Sequence, residues 1–302
     1  MTRRKASIRW VPLQGTAKIE AVQIHYKPIE IAEGPEKGQI RLAILKSDRY
    51  FQNGSIDFEM KLTGKDNRCQ FVLNHGLEQQ VFVGFNFGSN AYGMAFFRAG
   101  TWEPIATAGM GDTPRMDDWI KVTIMAHGSS ITLFVDGVKV LTGQAVLLKS
   151  QVALFLHGTT EITIRNIQIH DRRPKAFIVM QFMEEFNALY SDVIKPTCEK
   201  YGYEVIRGDD IYNNGLIIKD ITTSLQEASI IVADITPDNP NVYYEVGYAH
   251  AINKPTILLC ERAREKLPFD VSGFRTLFYD NSIGGKSQIE ERLAKHLESI
   301  KG

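Results

Sequence analysis

The chain has 302 residues, 44% of them hydrophobic, and its 35 basic residues balance its 35 acidic residues. This length fits two modest domains better than one, and a net charge of zero excludes the basic footprint of a nucleic-acid-binding protein. The basic residues 2–5 are followed by no apolar stretch, and no run is long enough to cross a bilayer, so we expect neither a signal peptide nor a membrane partner.

Residues 1–171 alternate between apolar and polar side chains, as strands do. Ile56–Leu62 and Ile162–Ile169 alternate throughout, which indicates one buried face and one solvated face. Asp136-Gly137 separates two strand-like runs, and glycine accepts the positive φ that a tight hairpin needs. Many short strands without a convincing helix predict an all-β jelly-roll sandwich for this half.

Residues 175–302 follow a charged joint that contains Pro174, and in them strands alternate with helices. Apolar runs predict five strands, at 176–180, 203–207, 230–234, 255–260 and 276–279. Helical spacing predicts helices at about 185–200, 217–228, 241–252 and 286–300. This alternation predicts a parallel sheet covered by helices on both faces, as in flavodoxin-like α/β domains.

The carboxyl ends of the parallel strands are the expected ligand site of the second half. In open parallel sheets, ligands bind where the strand order reverses, which for the order 2-1-3-4-5 lies between the first and third strands. The polar and aromatic candidates that follow the first three strands are Gln181, Phe182, Arg207, Asp209, Asp234, Asp238, Asn239 and Asn241. Among them, Asp234 also fits a turn former, Arg207 a salt-bridge partner and Asp209 a solvated loop residue.

The helix that follows the third strand contains the strongest single candidate, Glu245. Asn239-Pro240 has the pattern of an N-cap followed by proline at the first helical position. Glu245 then falls in the second turn, and the small residues Gly247 and Ala249 predict that this helix lies close to the sheet. A carboxylate on a packed face is costly without a purpose or a partner, so we expect a catalytic role for Glu245. Tyr243, Tyr244 and Tyr248 are expected in the core and the pocket wall.

Residues 175–279 resemble the nucleoside 2-deoxyribosyltransferase-like superfamily, which is related in fold to the TIR domains. The resemblance rests on Ala233-Asp234, on Asn239–Ala249 and on Lys254-Pro255, and Leu267–Asp270 is also typical. It implies that Glu245 attacks C1′ of a ribosyl unit and expels the base, by the double displacement of retaining glycosidases. Transferases of this superfamily carry an aspartate where this chain has Asn239, which favours a ligand that bears phosphate.

Residues 1–171 resemble concanavalin A-like jelly rolls, especially the laminin G and sugar-hydrolase-associated type. The resemblance rests on Asp118–Val122, on the Val135–Gly137 hairpin and on the strand Ile162–Ile169. The paired glutamates of the glucanases are not found in this half. A carbohydrate or a protein is therefore the expected ligand, with Trp102 or Tyr92 as a stacking surface.

Three functional hypotheses follow. The first is an enzyme that cleaves or exchanges the N-glycosidic bond of a nucleotide, a nucleoside or NAD, with Glu245 and Asp234 as catalytic residues. In it, NAD is a substrate, and we expect no cofactor and no metal. The second is a non-catalytic nucleotide-binding signalling module, and the third is a carbohydrate-binding protein. The three scattered cysteines, Cys69, Cys198 and Cys260, indicate idle thiols in a cytoplasmic protein, and we expect a homo-oligomer.

Overall fold

The structure is a computed structural model that describes residues 7–15, 17–20, 22–210, 217–264, 267, 271 and 273–301. The chain divides into two compact units. The first unit extends to Arg172 and omits His127–Ser129, which belong with the second unit, and the second unit resumes at Arg173. Within the described ranges, no helix is both long enough and apolar enough to cross a membrane.

The first unit is built from two antiparallel sheets of seven strands each, as far as the structure describes the chain. Sheet I contains, in spatial order, β1 (Trp10–Gln14), β4 (Ala43–Phe51), β13 (Ser150–His157), β6 (Arg68–Leu73), β7 (Gln79–Phe87), β8 (Asn90–Arg98) and β9 (Thr101–Met110). Sheet II contains β12 (Val138–Gln144), β11 (Ser130–Val135), β10 (Ile120–His127), β5 (Gly54–Leu62), β14 (Ile162–Asp171), β3 (Gln23–Tyr26) and β2 (Ala17–Ile19).

The core of this unit lies between the two sheets, as the alternating pattern predicts. In β5, every second residue from Ile56 to Leu62 is buried, while the residues between them are partly exposed. Phe58 of sheet II meets Phe71 of sheet I with ring centroids 4.6 Å apart, so the two inner faces are in direct contact. Asp136 and Gly137 both adopt positive φ between β11 and β12, which is the hairpin geometry expected from the sequence. The predicted jelly-roll sandwich is therefore confirmed.

The second unit is a parallel sheet of five strands flanked by helices. Its strands are β15 (Lys175–Val179), β16 (Glu204–Arg207), β17 (Ile230–Asp234), β18 (Thr256–Glu261) and β19 (Thr276–Tyr279), in the order β16-β15-β17-β18-β19. Its α-helices among the described residues are α1 (Glu184–Leu189), α2 (Lys195–Lys200), α3 (Ile217–Glu227), α4 (Pro240–Ala251) and α5 (Ile283–Lys301). The predicted parallel sheet is confirmed.

Both faces of the parallel sheet are covered, because alternate residues of each strand point to opposite sides. On one face, Ile178 and Val232 pack in one apolar cluster with residues of α1, α2 and α5. On the other face, Val179 and Ala233 pack in a second cluster with residues of α3 and α4. Continuous apolar runs such as Ile230–Ala233 are therefore required, since neither face of a strand meets water.

The predicted helix at 185–200 is interrupted. The π-helical turn Tyr190–Ile194 separates α1 from α2, and the amide of Lys195 donates to the carbonyl of Tyr190, five residues earlier. Pro196 lies in the first turn of α2. Because proline has no amide hydrogen, one backbone hydrogen bond of a continuous α-helix cannot form there. The widened turn lies directly before that proline.

Candidate functional site

The chain has two candidate ligand sites, one at the carboxyl edge of the parallel sheet and one on the outer face of sheet I. At the carboxyl edge, the structure brings Gln181 and Asn239 together, since Asn239 Nδ2 donates to Gln181 Oε1 over 3.4 Å. Asn239 is the N-cap of α4, and its Oδ1 accepts from the Asn241 amide at 2.9 Å. Pro240 opens the helix, so the sequence located this helix start correctly.

Asp234 lies at the end of β17 and is only 1% exposed. Its carboxylate accepts from the backbone amide of Thr236 at 3.0 Å and from the Tyr279 hydroxyl at 3.1 Å. The Thr236 hydroxyl also donates to Asp234 and accepts from the Glu261 amide. Burial raises the pKa of Asp234, against the opposing effect of these hydrogen bonds. These hydrogen bonds link the ends of β17, β18 and β19 through Asp234 and Thr236, and the Asp234 carboxylate is buried inside the protein.

Glu245 lies half-buried on α4 and has no hydrogen-bond or ion-pair partner within the described part of the chain. Burial without compensation raises its pKa to about 7. A carboxyl group in this environment is partly protonated at neutral pH, which weakens it as a nucleophile. Its neighbours Val242, Val246 and Ala249 are buried against the sheet.

The remaining candidates at this edge form local contacts with one another. Arg207 makes a bidentate ion pair with Asp209, through Nε at 2.6 Å and Nη2 at 2.5 Å. Its guanidinium also lies over the Tyr190 ring, 4.2 Å from the centroid, and 5.6 Å from the centroid of Phe182. Arg207 is therefore held by partners of its own chain. Its ion pair is with Asp209 and not with Glu245 among the described residues.

Asp238 and Tyr248 also bond within the chain. Asp238 forms an ion pair with Arg264 and accepts from the Tyr243 hydroxyl at 3.2 Å. Arg264 in addition donates to the carbonyl of Thr236 at 3.1 Å. Tyr248 accepts a hydrogen bond from the side-chain amide of Gln226. The ligand-binding roles of the residues at this edge stay predictions, and Pro268–Asp270, which contributed to the family resemblance, lie outside the described residues.

Two expectations about α4 are corrected. Gly247 is exposed and a Cβ there would meet nothing within 4 Å, so it does not mediate close packing on the sheet. Tyr244 is 52% exposed and is not part of the core. The helix contacts the sheet through Val242, Val246 and Ala249 instead, at the spacing of one helix face.

The outer face of sheet I carries an aromatic cluster that surrounds Phe82. The ring of Trp102 meets Phe82 edge-on at 4.6 Å, and Phe97 and Phe155 lie 6.1 and 5.9 Å from it. Phe82 is only 7% exposed, whereas Trp102 is 48% exposed. The neighbours of Phe82 in β7, Val81 and Val83, point into the sandwich core, so alternation along the strand places this cluster on the opposite face.

Polar side chains border the aromatic cluster. Gln70 is only 3% exposed, and its Nε2 donates to the carbonyls of Phe85 and Asn86 at 3.0 and 3.3 Å. Asn86 adopts positive φ, and its side-chain amide donates to the carbonyl of Asn67. Asn90 donates to the carbonyl of Phe87 at 3.4 Å. These amides are held in place by backbone partners.

The cluster and the amides together line a groove of about 330 Å³, which we call the Trp102 groove. The residues that line it are Arg68, Gln70, Asn86, Phe87, Gly88, Asn90, Met94, Ala95, Trp102, Pro104, Thr107 and Phe155. An apolar wall with a few fixed polar groups is the usual form of a small-molecule site in proteins. No aspartate or glutamate is among these lining residues of the described chain.

The sequence predicted Trp102 as a stacking surface but did not predict the groove or its other members. Tyr92, the alternative stacking surface, is partly buried and packs against the core, with its ring 5.3 Å from that of Phe85. Gln70 carried a signal, because it interrupts the apolar run from Cys69 to Leu73 and a polar residue in such a run needs a partner. Arg68 carried none, since nothing in the sequence indicates which face it shares.

Solved structures similar to this chain share the jelly-roll sandwich over about half of its length. A carbohydrate-binding module, CBM66 from Bacillus subtilis, is 12% identical, with a TM-score of 0.41 and coverage of 52% of this chain and 92% of the other. A prokaryotic beta-1,3-1,4-glucanase (lichenase) from a mouse hindgut metagenome is 9% identical, with a TM-score of 0.42 and coverage of 54% and 92%. A Bacillus subtilis protein of unknown function with a galectin-like fold is 9% identical, with a TM-score of 0.42 and coverage of 54% and 89%.

No family model matches the chain, and no curated protein matches it. The prediction of N-glycosidic cleavage or base exchange on a nucleotide, a nucleoside or NAD is wrong. The finding against it is that the similar structures include a beta-glucanase, a lichenase and a transglycosylase. These neighbours give no support to a deoxyribosyltransferase-like or TIR-like second half.

Proposed function

We propose that the first unit binds a carbohydrate in the Trp102 groove and does not cleave it. The observation that carries this proposal is a half-exposed tryptophan held against Phe82 and Phe97 beside fixed side-chain amides. A sugar ring presents an apolar face of C–H groups and an edge of hydroxyls, and it therefore needs an aromatic surface beside hydrogen-bonding groups. The groove offers both on one face of a rigid sheet.

Rigidity favours binding because little conformational entropy is lost when the ligand arrives. Trp102 is held by two aromatic neighbours, at 4.6 Å for Phe82 and 5.0 Å for Phe97. Gln70 and Asn86 are fixed by hydrogen bonds to backbone carbonyls. Each amide still has lone pairs or hydrogens beyond those it uses in these bonds.

The lining residues also support binding without hydrolysis. Most glycoside hydrolases use two carboxyl groups on either side of the scissile bond. The described residues that line the Trp102 groove include no aspartate and no glutamate. Asp57 and Glu59, which alternate on one strand of sheet II, are engaged with Thr123 at 2.7 Å and Arg165 at 2.7 Å. They therefore act as structural residues in this proposal.

Calorimetric titration of the full chain with a panel of neutral and acidic oligosaccharides tests the proposal. We expect Trp102→Ala to weaken binding by about 2 kcal/mol, roughly thirtyfold, because a central tryptophan usually dominates such a site. Tyr50→Ala is the matched control, because Tyr50 is 54% exposed in the same unit and does not line the groove. Unchanged affinity of Trp102→Ala, or release of reducing ends by the wild type, would contradict the proposal.

For the second unit, we propose a flavodoxin-like arrangement. Its strand order, β16-β15-β17-β18-β19, is 2-1-3-4-5 when the strands are numbered within the unit, which is the flavodoxin-like order. The placement of α3 and α4 opposite α1, α2 and α5 supports the same arrangement.

A further inference from the structure

Arg68 is the one charged residue among those that line the Trp102 groove in the described chain. It is exposed, and it forms no ion pair with any described residue. The nearby carboxylate of Asp66 is engaged elsewhere, since it accepts from the amide and hydroxyl of Thr159 at 2.7 and 2.9 Å. The described residues that line the groove therefore carry one positive charge, which has no ion-pair partner among the described residues, and no negative charge.

The other titratable neighbour of Arg68 is His157, its cross-strand partner on β13. Burial lowers the pKa of His157, and the positive charge of Arg68 lowers it further. A neutral imidazole adds no charge beside Arg68. Arg68 thus defines the charge of this end of the groove.

Arg68 and Trp102 lie on strands that are three positions apart in sheet I, on β6 and β9. Three strand spacings amount to about 14 Å. An oligosaccharide spans that distance between the two strands, and its successive units can lie on the two side chains. The two side chains therefore suit different units of one extended ligand.

Resting on the proposed carbohydrate site, we infer that the ligand is an acidic oligosaccharide, with a uronic-acid carboxylate on Arg68 and another ring on Trp102. The guanidinium fork matches the two oxygens of a carboxylate. A neutral oligosaccharide leaves this charge without a partner. Charge complementarity therefore selects the acidic ligand over its neutral counterpart.

The test uses the full chain and a panel of uronic-acid tetrasaccharides, built from galacturonate, glucuronate or mannuronate, each measured beside its methyl ester. Acid and ester present the same ring faces and differ in charge. We expect the acid to bind about tenfold more tightly, with the preference reduced at high salt, because exposed charges are screened. Arg68→Gln should remove the preference, so that acid and ester bind to the variant with about equal affinity.

Arg98→Gln is the matched control, since Arg98 is exposed on the same sheet, lies 3.9 Å from Glu78 and does not line the groove. Equal affinity for acid and ester, or a preference that survives in Arg68→Gln, would overturn the inference while the carbohydrate site stands. Weaker binding of both the acid and the ester by Trp102→Ala supports the site itself. Failure of every acid and ester to bind would overturn the site and the inference together.

Discussion

The Trp102 groove and the carboxyl edge of the parallel sheet differ in how their polar groups are engaged. At the edge, Arg207 is paired with Asp209, and Asp234 is buried beneath Thr236 and Tyr279. In the groove, Gln70 and Asn86 are tied only to backbone carbonyls, and Arg68 has no ion-pair partner in the described chain. A polar residue at the end of a strand is therefore a site only if its own chain leaves its charge or hydrogen bonds available.

Two carboxyl groups at the carboxyl edge, Asp234 and Glu245, differ in whether hydrogen bonds compensate their burial. Asp234 gains hydrogen bonds that partly oppose the effect of its desolvation, while Glu245 gains no described partner. Unlike the other charged candidates at this edge, Glu245 has no hydrogen-bond or ion-pair partner among the described residues. Its raised pKa reflects the uncompensated free-energy cost of burying a charged carboxylate. Burial alone explains the raised pKa of Glu245, so the shift does not by itself indicate that this carboxyl group acts on a ligand.

The largest expected effect tests whether the two regions belong to units that fold separately. Phe71 is fully buried in the first unit and Ile231 in the second. Truncation of either side chain to alanine leaves a cavity, which costs about 3–5 kcal/mol for Phe71→Ala and about 2–5 kcal/mol for Ile231→Ala. We expect calorimetry to show two unfolding transitions, with each variant lowering one of them. A single transition lowered equally by both variants would mean that residues 1–171 and 175–302 are not separate folding units.

The second prediction concerns Glu245→Gln and the dependence of stability on pH. The pKa of Glu245 is raised by burial to about 7, so the folded chain keeps the proton while the unfolded chain has already lost it. The free-energy cost of burying the ionised carboxylate is absent below the pKa of the unfolded chain. This cost grows between about pH 4.5 and 7, and it reaches its full value above pH 7. Glutamine has no charge to bury, so the variant should be more stable at pH 8 by at most about 3 kcal/mol, and unchanged at pH 4.

Urea unfolding followed by circular dichroism at pH 4, 6 and 8 measures this difference. Glu290→Gln is the control, because Glu290 is exposed on α5 and its substitution should change stability equally little at each pH. A Glu245→Gln variant that is less stable than the wild type at pH 8 would show that the carboxylate has a stabilising partner, and the contrast with Asp234 would then disappear.

The sequence predicted the strands well, because the spacing of apolar residues along the chain follows which side chains are buried. Alternation from Ile56 to Leu62 predicted β5, and the apolar run Ile230–Ala233 predicted a strand covered on both faces. The π-helical turn at Tyr190–Ile194 was missed, since its apolar spacing fits one continuous helix. Local spacing reports which residues are buried, but it does not report how the backbone hydrogen bonds are arranged.

The sites were harder to predict, because a site depends on contacts between distant residues. The sequence identified Trp102 as an exposed aromatic residue, but its partner Phe82 lies on another strand. It identified Arg207 as a candidate of the ligand site, yet Asp209, only two residues away, pairs with it. Residue type and position suggest chemistry, and the partners that each side chain finds decide whether that chemistry is available.

The smallest expected effect tests whether Asn239 has a structural role at the carboxyl edge. Its Oδ1 accepts from the Asn241 amide at 2.9 Å, which satisfies one of the unpaired amides at the start of α4. Asn239→Ala should therefore lower the free energy of unfolding of the second unit by about 1 kcal/mol. Asn241→Ala is the control, because Asn241 is exposed inside the helix and alanine has the higher helix propensity. If both variants are equally stable, capping does not explain Asn239, and its predicted role in binding a ligand becomes the stronger explanation of its position.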